Sequence, residues 1–228
     1  MQVRAQSVHD DGTEDRATQQ ERTRVAYDTV AESYDELLRD MIGTHPLDDA
    51  VLAAFADQVR ELGGPVLEVG CGGGRITGHL AAAGLMISGS DLSPGMIAVA
   101  RRRFPEVSFD VASMTGGPLA PNGSLAGVLA WYSVIHLLPT DRPIAFAAMH
   151  AALRPGGRAL VAFQVGTDRR LLQQAYGHEI ALDVWRLDPD LITAELAEAG
   201  LHVDARVVRA PSGPEKADQA FLFARRDR

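Results

Sequence analysis

Three glycines alternate in VLEVGCGGGR: Gly70, Gly72 and Gly74, where a short apolar run gives way to a helical pattern. Glycine is needed where a ligand must approach the backbone closely or where φ is positive. The first N–H groups of the helix that follows then face that ligand. Asp91 ends the next apolar run, about twenty residues further on, where a carboxylate can accept hydrogen bonds from ribose hydroxyls. The chemistry these residues offer is the binding of an adenosine-containing ligand at the carboxyl ends of two neighbouring strands.

The spacing also bears on which ligand. A pyrophosphate dinucleotide calls for G-x-G-x-x-G, and Arg75 stands where its third glycine would fall. Glu68 lies just before the first glycine. A carboxylate there opposes a pyrophosphate and suits a ligand with an ammonium or sulfonium charge. Three readings stay open on the residues alone: a nicotinamide-type oxidoreductase, a nucleic-acid-modifying enzyme, and a cofactor-binding protein without catalysis.

The elements around the motif alternate. PVLEVG, LMISGSD, VSFDVA, SLAGVLAWYS and GRALVAFQ read as short buried strands. RITGHLAAAG, SPGMIAVARRRF, TDRPIAFAAMHAALRPGG and DPDLITAELAEAG read as helices with cap and stop residues. Such alternation predicts a parallel sheet with helices on both faces. LHVDARVV and ADQAFLFARR predict a closing antiparallel pair. Upstream, TRVAYDTVAESYDELLRDMI places Val25, Tyr27, Val30, Tyr34, Leu37, Leu38 and Ile42 at helical spacing, and a second helix opens at Pro46 and stops at Gly63-Gly64. Residues 1–19 lack apolar periodicity and predict a mobile tail.

Composition removes several classes. A chain of 228 residues with 46% hydrophobic residues can bury a full core. A net charge of −8 argues against nucleic acid as the main partner. One cysteine, Cys71, excludes an intrachain disulfide and a cysteine-based zinc site. No apolar run reaches transmembrane length, and the first twenty residues do not read as a secretory signal, so the expectation is a cytoplasmic protein, monomer or homodimer, that binds no membrane.

VLEVGCGGGR, GSDLSPGMIAVAR and LRPGGRALV together resemble the successive motifs of class I S-adenosylmethionine-dependent methyltransferases. SLAGVLAWYSVIHLLP resembles the fourth-strand segment of a bacterial small-molecule branch, and VAYDTVAESYDE its tyrosine-bearing N-terminal helix. The resemblance spans about residues 24–225. It implies an α/β, Rossmann-like fold: a seven-stranded sheet, mostly parallel with an antiparallel last strand, helices on both faces and an N-terminal helical lid. It divides the chain into a tail (1–19), the lid (20–64) and a methyltransferase domain (65–228) with an acceptor-site insert at 166–188. It implies S-adenosylmethionine as cofactor, S-adenosylhomocysteine as product and a small-molecule acceptor methylated on oxygen or nitrogen, in bacterial secondary metabolism.

Site residues follow by position. Gly70, Cys71 and Gly72 would lie under the methionine part of the cofactor, near Glu68 and Arg75. Asp91 would hold the ribose, with Leu92 and Met96 beside the sugar and adenine. Ser113 and Met114 follow the third strand, Ser113 replacing the family's usual aspartate. Trp131 would offer its backbone to the methionine amino group, and Tyr27 and Tyr34 would cap that side. The absence of a carboxylate cluster argues against a metal. His136 is the candidate general base, its ordinary pKa being near working pH. His178 in the insert is its rival.

Overall fold

The computed structural model describes residues 4–8, 15–38 and 45–227. Seven strands form the central sheet: β2 (Val66–Val69), β3 (Ile87–Asp91), β4 (Phe109–Val111), β5 (Leu125–Trp131), β6 (Leu153–Gln164), β9 (Leu201–Arg209) and β10 (Gln219–Arg226). Their spatial order is β4-β3-β2-β5-β6-β10-β9. β10 alone runs antiparallel to both its neighbours, between β6 and the edge strand β9. Strand order reverses at β2, where the chain passes first outward to β3 and later back to β5, which opens a crevice at the carboxyl ends.

Alternation along the inner strands decides what covers each face. Ala159, Val161 and Phe163 of β6, with Ala220, Leu222 and Ala224 of β10, pack against α5 (Arg142–Ala152) and α6 (Pro189–Glu198). Leu160, Ala162, Phe221 and Phe223 point the opposite way, onto α2 (Pro46–Leu62) and α3 (Arg75–Ala82). A strand buried on both faces must be apolar at every position, and this is why β5, β6 and β10 read as continuous runs. Helix α4 (Pro94–Arg103) packs Ile97 and Ala100 against Cys71 and Phe109 near the β4 edge. Its start is set by Ser93, whose hydroxyl accepts from the Met96 N–H at 3.0 Å.

Several expectations change. The predicted tail contains a strand, β1 (Arg4–Val8), and the start of helix α1 (Arg16–Leu38). Asp15 caps α1 through the Thr18 N–H at 3.0 Å, so order begins earlier than apolar periodicity indicates. The rest of 1–14, and residues 39–44 with Ile42 and Gly43, lie outside the described residues. On α1, Val25 and Leu37 are exposed, whereas Gln19, Thr23 and Asp35 are buried. Apolar spacing missed this face because its partners are polar. Helix α2 belongs to the sheet layer rather than to a lid, since Leu52, Phe55 and Val59 pack on β2, β5 and β6. Helix α5 ends at Ala152, and Leu153 through Gly157 already belong to β6, where Leu125 pairs with Leu153.

The 166–188 insert is a β-hairpin, β7 (Arg169–Ala175) and β8 (His178–Trp185), and β1 adds a third antiparallel strand beside β7. Its loop is Tyr176-Gly177, both at positive φ (54° and 85°), the conformation a two-residue hairpin turn requires. Among the described residues, no helix is long and apolar enough to cross a membrane.

Candidate active site

The glycine loop between β2 and α3 lies at the reversal point of the sheet. Gly70 has φ +70°, and a Cβ there would fall 2.3 Å from Cβ of Ser133. Ser133 must come that close because its hydroxyl donates to the Val69 carbonyl at 2.7 Å. The chain reaches this position through Tyr132, itself left-handed at φ +56°. Gly72, at φ +54°, faces the ring of Tyr34, whose Cε1 would be 3.8 Å from an added Cβ. The loop therefore offers bare backbone beneath an aromatic roof.

Asp91 braces that backbone. The Gly72 N–H donates to its Oδ2 and the Ser93 N–H to its Oδ1, each at 2.8 Å. Each carboxylate oxygen keeps a lone pair for a ligand hydroxyl. Burial raises its pKa, and the two N–H bonds oppose that rise.

Glu68 lies under the loop, 2% exposed, with the Thr77 hydroxyl donating to Oε2. Burial pushes its pKa up to about 8, against the opposing pull of Thr77 and Arg75. Arg75 opens α3, half-buried, and its charge also reaches Tyr34, Tyr132 and Tyr176.

Other expected residues fall in two groups. Leu92, Ser113 and Met114 are half-buried around the crevice, with Met114 Cε 3.4 Å from where a Gly70 Cβ would stand. The Ser113 hydroxyl accepts from the Thr115 N–H at 3.2 Å, a local turn rather than a charged contact. Met96 is fully buried between Val30, Ala31 and Val99. It lies under the site as packing, not along an open wall. The Cys71 thiol is buried against the sheet, where Sγ would sit 2.8 Å from a Cβ at Gly89, and burial raises its pKa. That is a small core residue without nucleophile character. The Trp131 ring stacks on Phe221 with centroids 5.3 Å apart, leaving its backbone at the strand end.

Helix α1 and the hairpin close over this crevice. Tyr27, Tyr34 and Tyr176 form an edge-to-face row, with centroids 6.0 Å and 5.0 Å apart. The Tyr27 hydroxyl lies 2.7 Å from His136 Nε2, and His136 Nδ1 lies 2.8 Å from the Asp183 carbonyl on β8. Burial lowers the His136 pKa to about 4. His178 meets Ser33 of α1 at 2.9 Å, at the hairpin tip. His136 thus joins Tyr27 and Tyr34 at the closed corner, while His178 serves as a contact between hairpin and helix.

One residue that sequence reasoning missed ties α1 to the cofactor-side elements. Asp28 Oδ1 accepts from the Ser93 hydroxyl at 2.5 Å and from the Gly95 N–H at 2.9 Å. Its signal was available as an acid directly after Tyr27 and an S-P-G helix start needing acceptors. Asp28→Ala is expected to loosen α1 by about 1–3 kcal/mol. Hydrogen exchange across Arg24–Leu38 should then quicken, and in the wild type it should slow when S-adenosylhomocysteine is added. Equal exchange in all three samples would show that the helix is docked by other contacts.

Comparison with known proteins agrees with this geometry. A family profile described as a methyltransferase domain matches residues 66–157, from the first central strand to the start of β6. The chain is 28% identical over 172 residues to a ubiquinone biosynthesis O-methyltransferase of Xylella fastidiosa, covering 70% of each protein. It is 31% identical over 137 residues to a demethylmenaquinone methyltransferase of Beutenbergia cavernae, covering 60% of this chain and 55% of that protein. A 1,6-didemethyltoxoflavin-N1-methyltransferase of Burkholderia thailandensis, solved with its substrate and S-adenosylhomocysteine, shares the fold at TM-score 0.68 and 21% identity, over 100% of this chain and 96% of that one. A methyltransferase domain therefore spans residues 66–157, and the glycine loop braced by Asp91 and the strand order with its antiparallel β10 give the chain the fold of class I S-adenosylmethionine-dependent methyltransferases.

Proposed function

We propose that this enzyme methylates an oxygen or nitrogen of a small molecule, in bacterial secondary metabolism. The observation that carries this is the enclosure of the reacting corner. Helix α1 and the β7–β8 hairpin roof the glycine loop with Tyr27, Tyr34 and Tyr176, and His136 closes the side. Such a roof favours a small acceptor over a polymer, and the net charge of −8 repels polyanions. The names of similar proteins support an O- or N-acceptor: a quinone-pathway O-methyltransferase and a toxoflavin-type N-methyltransferase.

Bound S-adenosylmethionine supplies an electrophilic methyl group on sulfur. The chain's part is to align the acceptor with it and to exclude water. Gly70, Cys71, Gly72 and Arg75 would hold the methionine end through backbone and guanidinium, Asp91 the ribose, and Leu92, Ser113 and Met114 the adenine side. Trp131 would offer its carbonyl to the ammonium group. Glu68, held mostly protonated near pH 7 by burial, lies beneath the loop, where a bound sulfonium would favour its charged form, and Tyr34 covers the loop.

Two measurements test the reading. Saturating S-adenosylhomocysteine, at a hundredfold over Kd, should stabilise the fold by about 2.7 kcal/mol, whereas NAD should not. A mass-shift screen with S-adenosylmethionine against catechol, 4-hydroxybenzoate, aniline and benzylamine should then find a gain of one methyl. Stabilisation by NAD instead, or a gel shift with tRNA fragments, would overturn the small-molecule methyltransferase assignment.

A further inference from the structure

The contacts around His136 fix its chemistry more narrowly than its residue type does. The Asp183 carbonyl can only accept, so His136 Nδ1 must carry the proton. The opposite nitrogen, Nε2, then holds a lone pair and accepts from the Tyr27 hydroxyl at 2.7 Å. The arrangement is overdetermined. Gln19 of α1 donates its amide to the His136 carbonyl and to the Thr23 hydroxyl. Asp183 is 1% exposed, with Arg22 of α1 2.9 Å from Oδ2 and Arg169 of β7 2.9 Å from Oδ1. Arg169 is stacked over Trp185, 5.1 Å from its centroid. Helix, hairpin and the turn after β5 therefore meet at one imidazole that has no free nitrogen.

We propose that His136 is a positioning residue, an uncharged acceptor that orients the Tyr27 hydroxyl, and that Tyr27 rather than the imidazole is the group presented to the methyl acceptor. This rests on the methyl-transfer reading above. With its proton committed to His136 Nε2, the Tyr27 oxygen turns its remaining lone pair toward the crevice. There it can accept a hydrogen bond from an acceptor O–H or N–H. That bond strengthens as positive charge grows on the acceptor atom, because a charged donor makes the stronger bond. In the transfer the acceptor lone pair would form the bond to the methyl carbon as that carbon's bond to sulfur breaks, leaving S-adenosylhomocysteine. The acceptor's proton would stay on the methylated atom against the Tyr27 oxygen and pass to water on product release, so none needs to reach the imidazole. The groups facing His136 agree: Tyr27 and Gln19 from α1 are neutral donors, and the Asp183 carboxylate from β8 is neutralised by Arg22 and Arg169. Burial lowers the imidazole pKa, and the carbonyl and carboxylate of Asp183 oppose it only in part, so the ring stays neutral across the working range.

The test combines a double-mutant cycle with a spectroscopic readout. Tyr27→Phe, His136→Gln and the double variant are compared in kcat and KM on whichever of the four screened compounds turns over. Tyr27→Phe should lower kcat by about 10- to 100-fold. His136→Gln should lower it less, and the double variant should match Tyr27→Phe, because His136 acts only through Tyr27. Nitrogen-15 spectra of labelled histidine should show His136 as the neutral Nδ1–H form from about pH 5 to 8. Tyr27→Phe, which removes one oxygen and leaves the packing, should shift its Nε2 resonance. Multiplying single-variant effects would overturn the proposal. So would an imidazole that titrates in that range, or a wild-type kcat that falls with it. The spectra decide even if none of the four compounds is methylated, a result that counts against the methyl-transfer reading alone.

Discussion

Asp91→Ala is expected to weaken S-adenosylhomocysteine binding by about 1.5–3 kcal/mol, roughly 10- to 150-fold in Kd by calorimetry. Two losses add in this variant. One is the pair of hydrogen bonds to ligand hydroxyls, made by an ionised acceptor and therefore stronger than neutral ones. The other is the brace on the loop, because the N–H groups of Gly72 and Ser93 both end on this carboxylate. Without it, Gly72 loses the contact that fixes the backbone under Tyr34. Asp91→Asn separates the two losses. An amide keeps one acceptor oxygen, so one brace survives, and binding should fall between wild type and alanine. The alanine variant should fold, since Asp91 stands at a strand end and is half-buried rather than part of the apolar core. An unchanged Kd in a folded Asp91→Ala protein would mean that the ribose is held elsewhere.

The features legible in the sequence are those set by neighbours in the chain. The glycine loop works through its own φ values, and the Ser93 cap through the Met96 N–H three residues away. Strands buried on both faces announce themselves by unbroken apolar runs. The hairpin was within reach as well: Ile180, Leu182 and Val184 alternate, and Tyr176-Gly177 stands at the turn. That period of two is the signature of a strand. What no local pattern could show is the docking of α1. Tyr27 meets His136 across 109 residues, Ser33 meets His178 across 145, and Asp28 reaches Gly95 across 67. These are polar contacts on a helix face expected to be apolar. They also decide what His136 is. Residue type and position suggested a base with an ordinary pKa, but packing from α1 and β8 removes the water that ordinary value presupposes.

That burial carries a measurable pH signature. The His136 pKa is about 4 in the folded protein against 6.5 in the unfolded chain. Between those values the unfolded chain binds more protons than the folded protein, so stability falls as pH falls through 6.5 and levels off below 4. The full gap corresponds to about 3 kcal/mol, of which about 2 kcal/mol is lost between pH 7 and 5. Glu68 acts with the opposite sign. Its folded pKa of about 8 lies above its ordinary 4.5, so the folded state holds the extra proton and stability rises as pH falls from 8 to 4.5. Asp91, raised by burial, adds to the same side. Between pH 6.5 and 4.5 the contributions of His136 and Glu68 therefore oppose each other. Single variants uncover the slopes. In urea unfolding, the stability difference between wild type and His136→Gln should move against the wild type by about 2 kcal/mol from pH 7 to 5. Glu68→Gln should remove the rise below pH 8 and leave the His136 loss exposed. A His136→Gln protein whose stability tracks the wild type in parallel over this range would mean that the imidazole is solvated, and with it that α1 is not closed over the site in the free enzyme.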